Sequence, residues 1–397
     1  MKIAILTSGI LPVPAVQGGA VENLIDYYLE YNNQHHLHDI MVYSVFHPQA
    51  IRHPANLSQV NHYYFVKTNS WGAKIRRIIR KWSHPKGDYY NYFIEYFFEQ
   101  VYEDLRCQQY DCIILENRPG YAKKLAERGI NNLVLHLHND LLNRTTPYHK
   151  QIFRTLNRII TVSDYIGKCV STIQPSKKII TIHNGIDLYS FSHESLTVIR
   201  RSDIGFTNTD FVLVFSGRIN KDKGIAELID AMLLLHDLPN VKLLIIGSTF
   251  FGNATNEDDF VQALKLKAKS IKQRLVFTGF IPYNEMPSYL KLADIAIIPS
   301  VWDDPFPTTV LEAQAMGLPI ICSNRGGITE EVDKDNAIIV PTEHKFVEGL
   351  ASAIRYLYNS PQQRAIMAKA SQRHSTHFNK ERFAHDFFNA LVSNHNK

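Results

Sequence analysis

Cysteine is scarce in this chain: four residues among 397, at positions 107, 112, 169 and 322. Their spacing holds no metal-ligating pair and no disulfide framework, which points to a reducing compartment, the cytoplasm. Long apolar runs are missing too. Runs such as Ile3–Leu6 and Val212–Phe215 are strand-sized, against the ~20 residues that cross a bilayer as a helix. The opening Met1-Lys2-Ile3-Ala4-Ile5-Leu6 is too short in apolar length for a secretory signal and is expected to be a buried first strand. There is no low-complexity tract and no Gly-x-Gly-x-x-Gly dinucleotide spacing. Net charge is only +5, enough to favour an anionic partner such as a phosphate or a lipid surface, and no nucleic-acid-binding motif accompanies it.

What is present is a strand–turn–helix alternation along a chain too long for one ordinary core. Strands are expected over Lys2–Thr7, Asp39–Val45, Asp111–Glu116 and Leu133–His138, with helices over Gly19–Tyr31, Tyr92–Leu105 and Tyr121–Arg128. After a polar stretch near Leu188–Asn208 the alternation restarts. Phe211–Ser216, Val241–Ile246, Leu275–Thr278, Ile295–Pro299 and Pro319–Cys322 read as strands, and Gly224–Leu235 as a helix. The expected class is α/β, with two Rossmann-like parallel-sheet domains facing an interdomain cleft. Their limits are 1–190 and 205–375, followed by a C-terminal helix in 376–397 that packs back on the first domain.

Four loops carry candidate chemistry. Gly18-Gly19 opens the first helix, where backbone amides and the helix dipole suit an anion, or else simply form a turn and cap. Gly217-Arg218 and Lys223-Gly224 close the first strand of the second half, so that a planar fork of donors and a mobile point charge can converge on one diphosphate. The alternative there is a solvated basic turn. Asp303-Asp304-Pro305-Phe306-Pro307-Thr308-Thr309 runs into a helix bearing Glu312, placing carboxylates that accept sugar hydroxyls beside helix N-terminal amides; Asp304 as a mere helix cap is the alternative. Gly326-Gly327 forms a further glycine loop. His136 and His138 share one face of a strand, but a third zinc ligand is not evident in the sequence.

In this order the four loops resemble those of the retaining glycosyltransferases of family 4, which have the GT-B fold. The likeness spans nearly the whole chain. Pro12-Val13-Pro14, Glu116-Asn117-Arg118-Pro119 and His136-Leu137-His138-Asn139-Asp140 are similar to the branch that includes spore coat protein SA and bacterial surface-polysaccharide transferases. The resemblance implies that Arg218 and Lys223 bind the donor diphosphate and that Glu312 holds the ribose hydroxyls. It implies further that Asp304 and the backbone of Phe306, Pro307, Thr308 and Thr309 hold the donor sugar. His138 would act on that sugar and Gly18-Gly19 would border the phosphates. Ser163, Asn184, Asp187, Gly326 and Gly327 would lie along the cleft. One departure stands out: Asp304 occupies the place of the family's first glutamate, one methylene shorter.

The resemblance implies a metal-independent hexosyltransferase that takes a UDP-sugar as donor, with no cofactor. The acceptor would be a glycan or a lipid-linked glycan in surface polysaccharide synthesis. A nucleotide-sugar epimerase of the same fold, or a weakly catalytic coat or glycan-binding protein, are the alternatives. Between Trp71 and Lys86 there are six basic residues and no acidic one. Lys74, Arg76, Arg77, Arg80 and Lys81, with Trp82 and three isoleucines at helical spacing, form an amphipathic cationic helix suited to an anionic membrane surface. An ordinary surface helix docked through its isoleucines is the alternative. The expected location is therefore cytoplasmic, peripheral on the inner face of the membrane.

Overall fold

The computed structural model describes residues 1–83, 94–191, 197–248 and 259–392, and in the helix Trp71–Ser83 the side chains at 77 and 80–83 fall outside the described set. The chain divides into two compact units, one of Met1–Asn184 with the C-terminal segment from Lys380, the other of Gly185–Asn379.

The first unit is built on seven parallel strands: β1 (Lys2–Leu6), β2 (Asp39–Val45), β3 (Asn61–Val66), β4 (Cys112–Glu116), β5 (Leu133–Leu137), β6 (Leu156–Thr161) and β7 (Ile179–Thr181). Their order is β3-β2-β1-β4-β5-β6-β7. The second unit has six parallel strands: β8 (Phe211–Ser216), β9 (Val241–Ile246), β10 (Leu275–Gly279), β11 (Ile295–Ile298), β12 (Ile320–Ser323) and β13 (Ala337–Val340), in the order β10-β9-β8-β11-β12-β13. Both orders reverse beside their first strand, as in doubly wound sheets, which places the switch point next to β1 and next to β8. Two Rossmann-like parallel sheets are thus present, in the class that the alternation of elements implied.

Central strands such as β1, β4 and β5 are buried almost end to end because helices cover both faces of a parallel sheet. The same physics makes them readable as unbroken apolar runs. Four strands did not stand out in the sequence: β3, β6, β7 and β13. β3 is an edge strand with an alternating, half-exposed pattern over polar Asn-His-Tyr-Tyr, and β6 begins at the residue after the helix His149–Thr155, with no turn residue between them.

The C-terminal helix Lys380–Val392 packs on the helix Ala20–His35 of the first unit. Its Phe383 and Phe387 are fully buried, and the Phe387 ring stacks on Tyr28 at 4.4 Å and 4°. Phe387→Ala empties that stack and is expected to lower stability by about 3–5 kcal/mol, measured by chemical denaturation.

Candidate functional site

In the second unit the loops that follow β8, β11 and β12 are stitched together by backbone contacts. The amide of Val301 donates to the Asp222 carbonyl at 2.9 Å, and Ser300 Oγ donates to the same oxygen at 3.1 Å. The Gly327 amide donates to the Asp304 carbonyl at 2.7 Å. Two glycines permit this closeness. A Cβ on Gly224 would lie 1.8 Å from the Pro299 carbonyl oxygen, and one on Gly326 would lie 2.2 Å from that of Asp304; both residues also have positive φ.

This stitching brings Lys223 and Asp304 together. The Lys223 ammonium is hydrogen-bonded to Asp304 Oδ2, and Asp304 is buried. Asp304 does not cap the following helix, Thr308–Ala315. Its N-cap position is Pro307, which supplies no side-chain cap to the first amides. Asp303 turns aside and ion-pairs with Arg325 at 3.6 Å. Arg218 is exposed next to Gly217, where an added Cβ would lie 4.0 Å from the Thr309 methyl. Phe306 is buried and meets the Phe378 ring at 5.8 Å.

The first unit holds a different arrangement. Gly18 and Gly19 have φ of 74° and 110°, and Gly19 caps the helix Ala20–His35. The carboxyl of Glu22 folds back over that helix start, so close that a Cβ on Gly19 would meet Glu22 Oε2 at 2.2 Å. Burial, aided by nearby Glu116, pushes Glu22 up to about 7, against the pull of its own backbone amide. Ser163 is the N-cap of the helix Asp164–Ser171, accepting from the Ile166 amide at 3.3 Å. Asn184, the last residue before the second unit, is buried. Asp187 belongs to the second unit, where it holds a turn by accepting from the Tyr189 amide at 3.1 Å and from Ser190 Oγ at 3.0 Å.

A third group of metal-ligating type, not evident from the sequence, stands beside the two histidines. Glu116 ends β4, and in the parallel register it sits opposite His136 of β5. His138, two residues further on, shares the same face. His136 Nδ1 and His138 Nε2 lie 3.1 and 3.0 Å from Glu116 Oε2, and Tyr28 donates its hydroxyl to Oε1 at 2.8 Å. Every contact is at hydrogen-bond distance.

Residues 199–374 match the model of the family described as glycosyl transferases group 1. The second unit is a group 1 glycosyltransferase domain. Over nearly its full length the chain is similar to spore coat protein SA of Bacillus subtilis (strain 168), 26% identical across 99% of this chain and 100% of that one. It is also similar to putative glycosyltransferase YtcC of the same organism, 27% identical across 94% and 87%. Among solved structures, HepE of Anabaena in complex with UDP and glucose superposes with a TM-score of 0.73 at 21% identity, covering 99% of this chain and 100% of that one. Sucrose-phosphate synthase from Thermosynechococcus elongatus gives 0.74 at 18%, covering 99% and 98%. These likenesses show the fold, which is GT-B.

Within the transferase domain two further carboxyls are fully enclosed. Glu312 lies on the helix Thr308–Ala315, and burial pushes it up to about 7 against one hydrogen bond from Thr308. Glu331 is buried as well and is raised well above the usual range, first by burial and then by the charge of Asp304. Glu331 escaped the sequence reading because nothing in Thr329-Glu330-Glu331 marks which of the two acids turns inward.

Glu312 makes a pH prediction. Unfolded, it ionises above its ordinary 4.5; folded, it keeps its proton to about 7. Between those values the unfolded chain binds fewer protons, so this group lowers stability as pH rises through the window and adds no slope above it. Glu312→Gln is expected to remove that slope. Relative to wild type, the variant gains roughly 2–3 kcal/mol between pH 5 and pH 8, read from denaturation midpoints at both pH values.

Proposed function

We propose that the chain is a retaining, metal-independent hexosyltransferase of the family 4 type. It moves a sugar from a UDP-sugar to a glycan or lipid-linked acceptor in bacterial surface polysaccharide synthesis. The observation that carries this reading is the convergence of Lys223, Asp304 and the uncapped start of Thr308–Ala315 within the group 1 domain. Lys223 has three donors, so it can keep Asp304 while binding a phosphate oxygen. Together with Arg218 and the amides of Thr308 and Thr309, it stabilises the charge that develops on the leaving diphosphate. Asp304 and the backbone from Phe306 to Thr309 hold the sugar, Glu312 the ribose hydroxyls, and His138 and Gly18-Gly19 serve the sugar and the phosphates. Ser163, Asn184, Asp187, Gly326 and Gly327 shape the surrounding loops.

Retention by a covalent route needs a carboxylate nucleophile poised at the anomeric carbon. Asp304 is engaged with Lys223 and Asp303 with Arg325, which supports front-face substitution, in which the leaving phosphate takes the acceptor proton. The complex of HepE with UDP and glucose supports a uridine donor, and relatives such as the lipopolysaccharide 1,2-N-acetylglucosaminetransferase of Salmonella typhimurium support a surface-glycan acceptor.

The test is thermal stabilisation by a panel of nucleotide sugars with and without EDTA. One UDP-sugar should raise the melting temperature regardless of chelator. A shift abolished by EDTA would refute metal independence, and no shift with any donor would refute the transferase reading.

The membrane reading rests on the helix Trp71–Ser83. Ala73 is buried, while Trp71, Ile75, Ile78 and Ile79 are 82, 49, 59 and 60% exposed. Lys74 and Arg76 are exposed beside them; the side chains of Arg77, Arg80, Lys81 and Trp82 lie outside the described residues. No described helix is long and apolar enough to cross a membrane, and this one suits lying on an anionic surface. Changing Arg76, Arg77 and Arg80 to Glu is expected to weaken flotation with phosphatidylserine vesicles by about 100-fold or more, at ~1 kcal/mol per cation removed. Equal flotation of wild type and variant would dismiss this surface.

A further inference from the structure

The carboxylate of Glu116 meets three hydrogen atoms, and chemistry dictates where they are. An ionised carboxylate only accepts. Burial acts to raise Glu116, yet the two imidazoles outweigh it and hold the group down at about 2, so it is ionised at neutral pH. Tyr28 supplies its O–H at 2.8 Å. The two ring nitrogens that face the carboxylate, His136 Nδ1 and His138 Nε2, must then both carry hydrogen, although the two rings present opposite nitrogens.

The rest of the His138 ring follows from this. Burial, and then the neighbouring His136, push His138 down to about 4, so the ring is neutral and has one N–H, at Nε2. Its Nδ1 is left with a bare lone pair and has no hydrogen-bond partner among the described residues. The backbone is pinned as well: the His138 amide donates to Asn117 Oδ1 at 3.2 Å. His136, by contrast, is wholly enclosed, with its ring 5.0 Å from that of Phe387. It supports the carboxylate and faces no ligand.

The geometry points to Glu116, braced by Tyr28 and His136, as a positioning residue that fixes His138 in the Nε2–H tautomer and so makes its Nδ1 a dedicated hydrogen-bond acceptor. A ligand group read by that nitrogen must be a donor. A sugar hydroxyl qualifies, whereas a phosphate or carboxylate oxygen, which only accepts, would meet lone pair with lone pair. The identity of the hydroxyl rests on the transferase reading; the tautomers do not, and they can be read in the ligand-free protein.

The first measurement is two-bond nitrogen–proton correlation on full-length protein labelled with nitrogen-15 histidine at pH 7, assigned with His136→Gln and His138→Gln. The expected result is hydrogen on Nδ1 of His136 and on Nε2 alone of His138. A hydrogen on Nδ1 of His138, or none on Nδ1 of His136, overturns the proposal. So does stoichiometric zinc in protein purified without chelator and lost in Glu116→Ala, because the carboxylate would then be serving a metal.

The second measurement compares UDP with UDP-glucose, or with whichever nucleotide sugar stabilises the wild type, on Glu116→Ala. Affinity for the nucleotide should be unchanged, while that for the nucleotide sugar falls roughly 10- to 100-fold, the usual cost of one unmade hydrogen bond in an enclosed site. An equal loss for both ligands indicates a merely structural role and overturns the proposal. If wild type binds no nucleotide sugar at all while the tautomers are as stated, the transferase reading fails and the positioning of His138 stands. Should Glu116→Ala not fold, the wild-type spectrum still decides.

Discussion

Lys223→Met is expected to lower the transfer rate by about 10²–10³-fold, while the affinity for the donor falls by much less. Removing one preorganised donor aimed at developing charge typically costs that much in rate. The ammonium of Lys223 is held in place by Asp304, so in the wild type little reorganisation remains when the leaving phosphate gains charge. Steady-state kinetics with the donor identified by thermal shift checks the split between rate and affinity. The same substitution has a second consequence. The Asp304 side chain is only 7% exposed, and Lys223 is its one ion-pair partner among the described residues, so Lys223→Met leaves a buried carboxylate without its cation. That is destabilising by about 1–3 kcal/mol, less than a fully enclosed pair because Lys223 itself is partly exposed. In Lys223→Met/Asp304→Asn much of that stability is expected to return, since the uncompensated charge is gone, but the activity is not. A double variant as unstable as the sum of its parts would refute the coupling of the two residues.

Gly224→Ala is expected to lower stability by more than about 3 kcal/mol and to abolish donor binding with it. Two costs combine. Its φ of 69° lies in the left-handed region, which costs an alanine roughly 1 kcal/mol. The new Cβ would also stand 1.8 Å from the Pro299 carbonyl oxygen, and that atom is backbone, so relief requires the loop after β11 to move. Moving it displaces Asp304 from Lys223, the contact on which the proposed chemistry depends. Gly205→Ala separates the two costs. Gly205 has a φ of 78° but nothing within 4 Å of where its Cβ would be, so only the conformational strain applies and a loss of about 1 kcal/mol is expected. Chemical denaturation of both variants, alongside donor-induced thermal shifts, distinguishes crowding from strain. Similar losses in the two variants would show that the close approach at Pro299 does not matter.

The sequence by itself determined the class of fold and the places where chemistry could occur. Strands covered by helices on both faces must be apolar throughout, so β1, β4, β5, β8 and β9 could be bounded to within a residue or so from the chain alone. A glycine pair before a helix, and a basic loop after a buried strand, are equally local features, which is why Gly18-Gly19, Arg218, Lys223, Asp304 and Glu312 could be picked out one by one. Weakly apolar edge strands such as β3 carry no such mark.

Only the tertiary structure decided which of these residues meet. Lys223 reaches Asp304 because Gly224 and Gly326 let three loops touch at backbone level. Glu116 reaches both histidines because β4 and β5 pair in a register that sets Glu116 beside His136. Glu22 folds over the Gly18-Gly19 turn, a closeness that nothing in the local sequence marks. Burial was likewise invisible in the chain: Glu312 and Glu331 hold their protons because of what encloses them, not because of their sequence neighbours. Local sequence sets backbone preference and apolar periodicity, whereas charge pairing, tautomer and desolvation depend on distances between residues far apart along the chain. Those distances exist only once both sheets have formed.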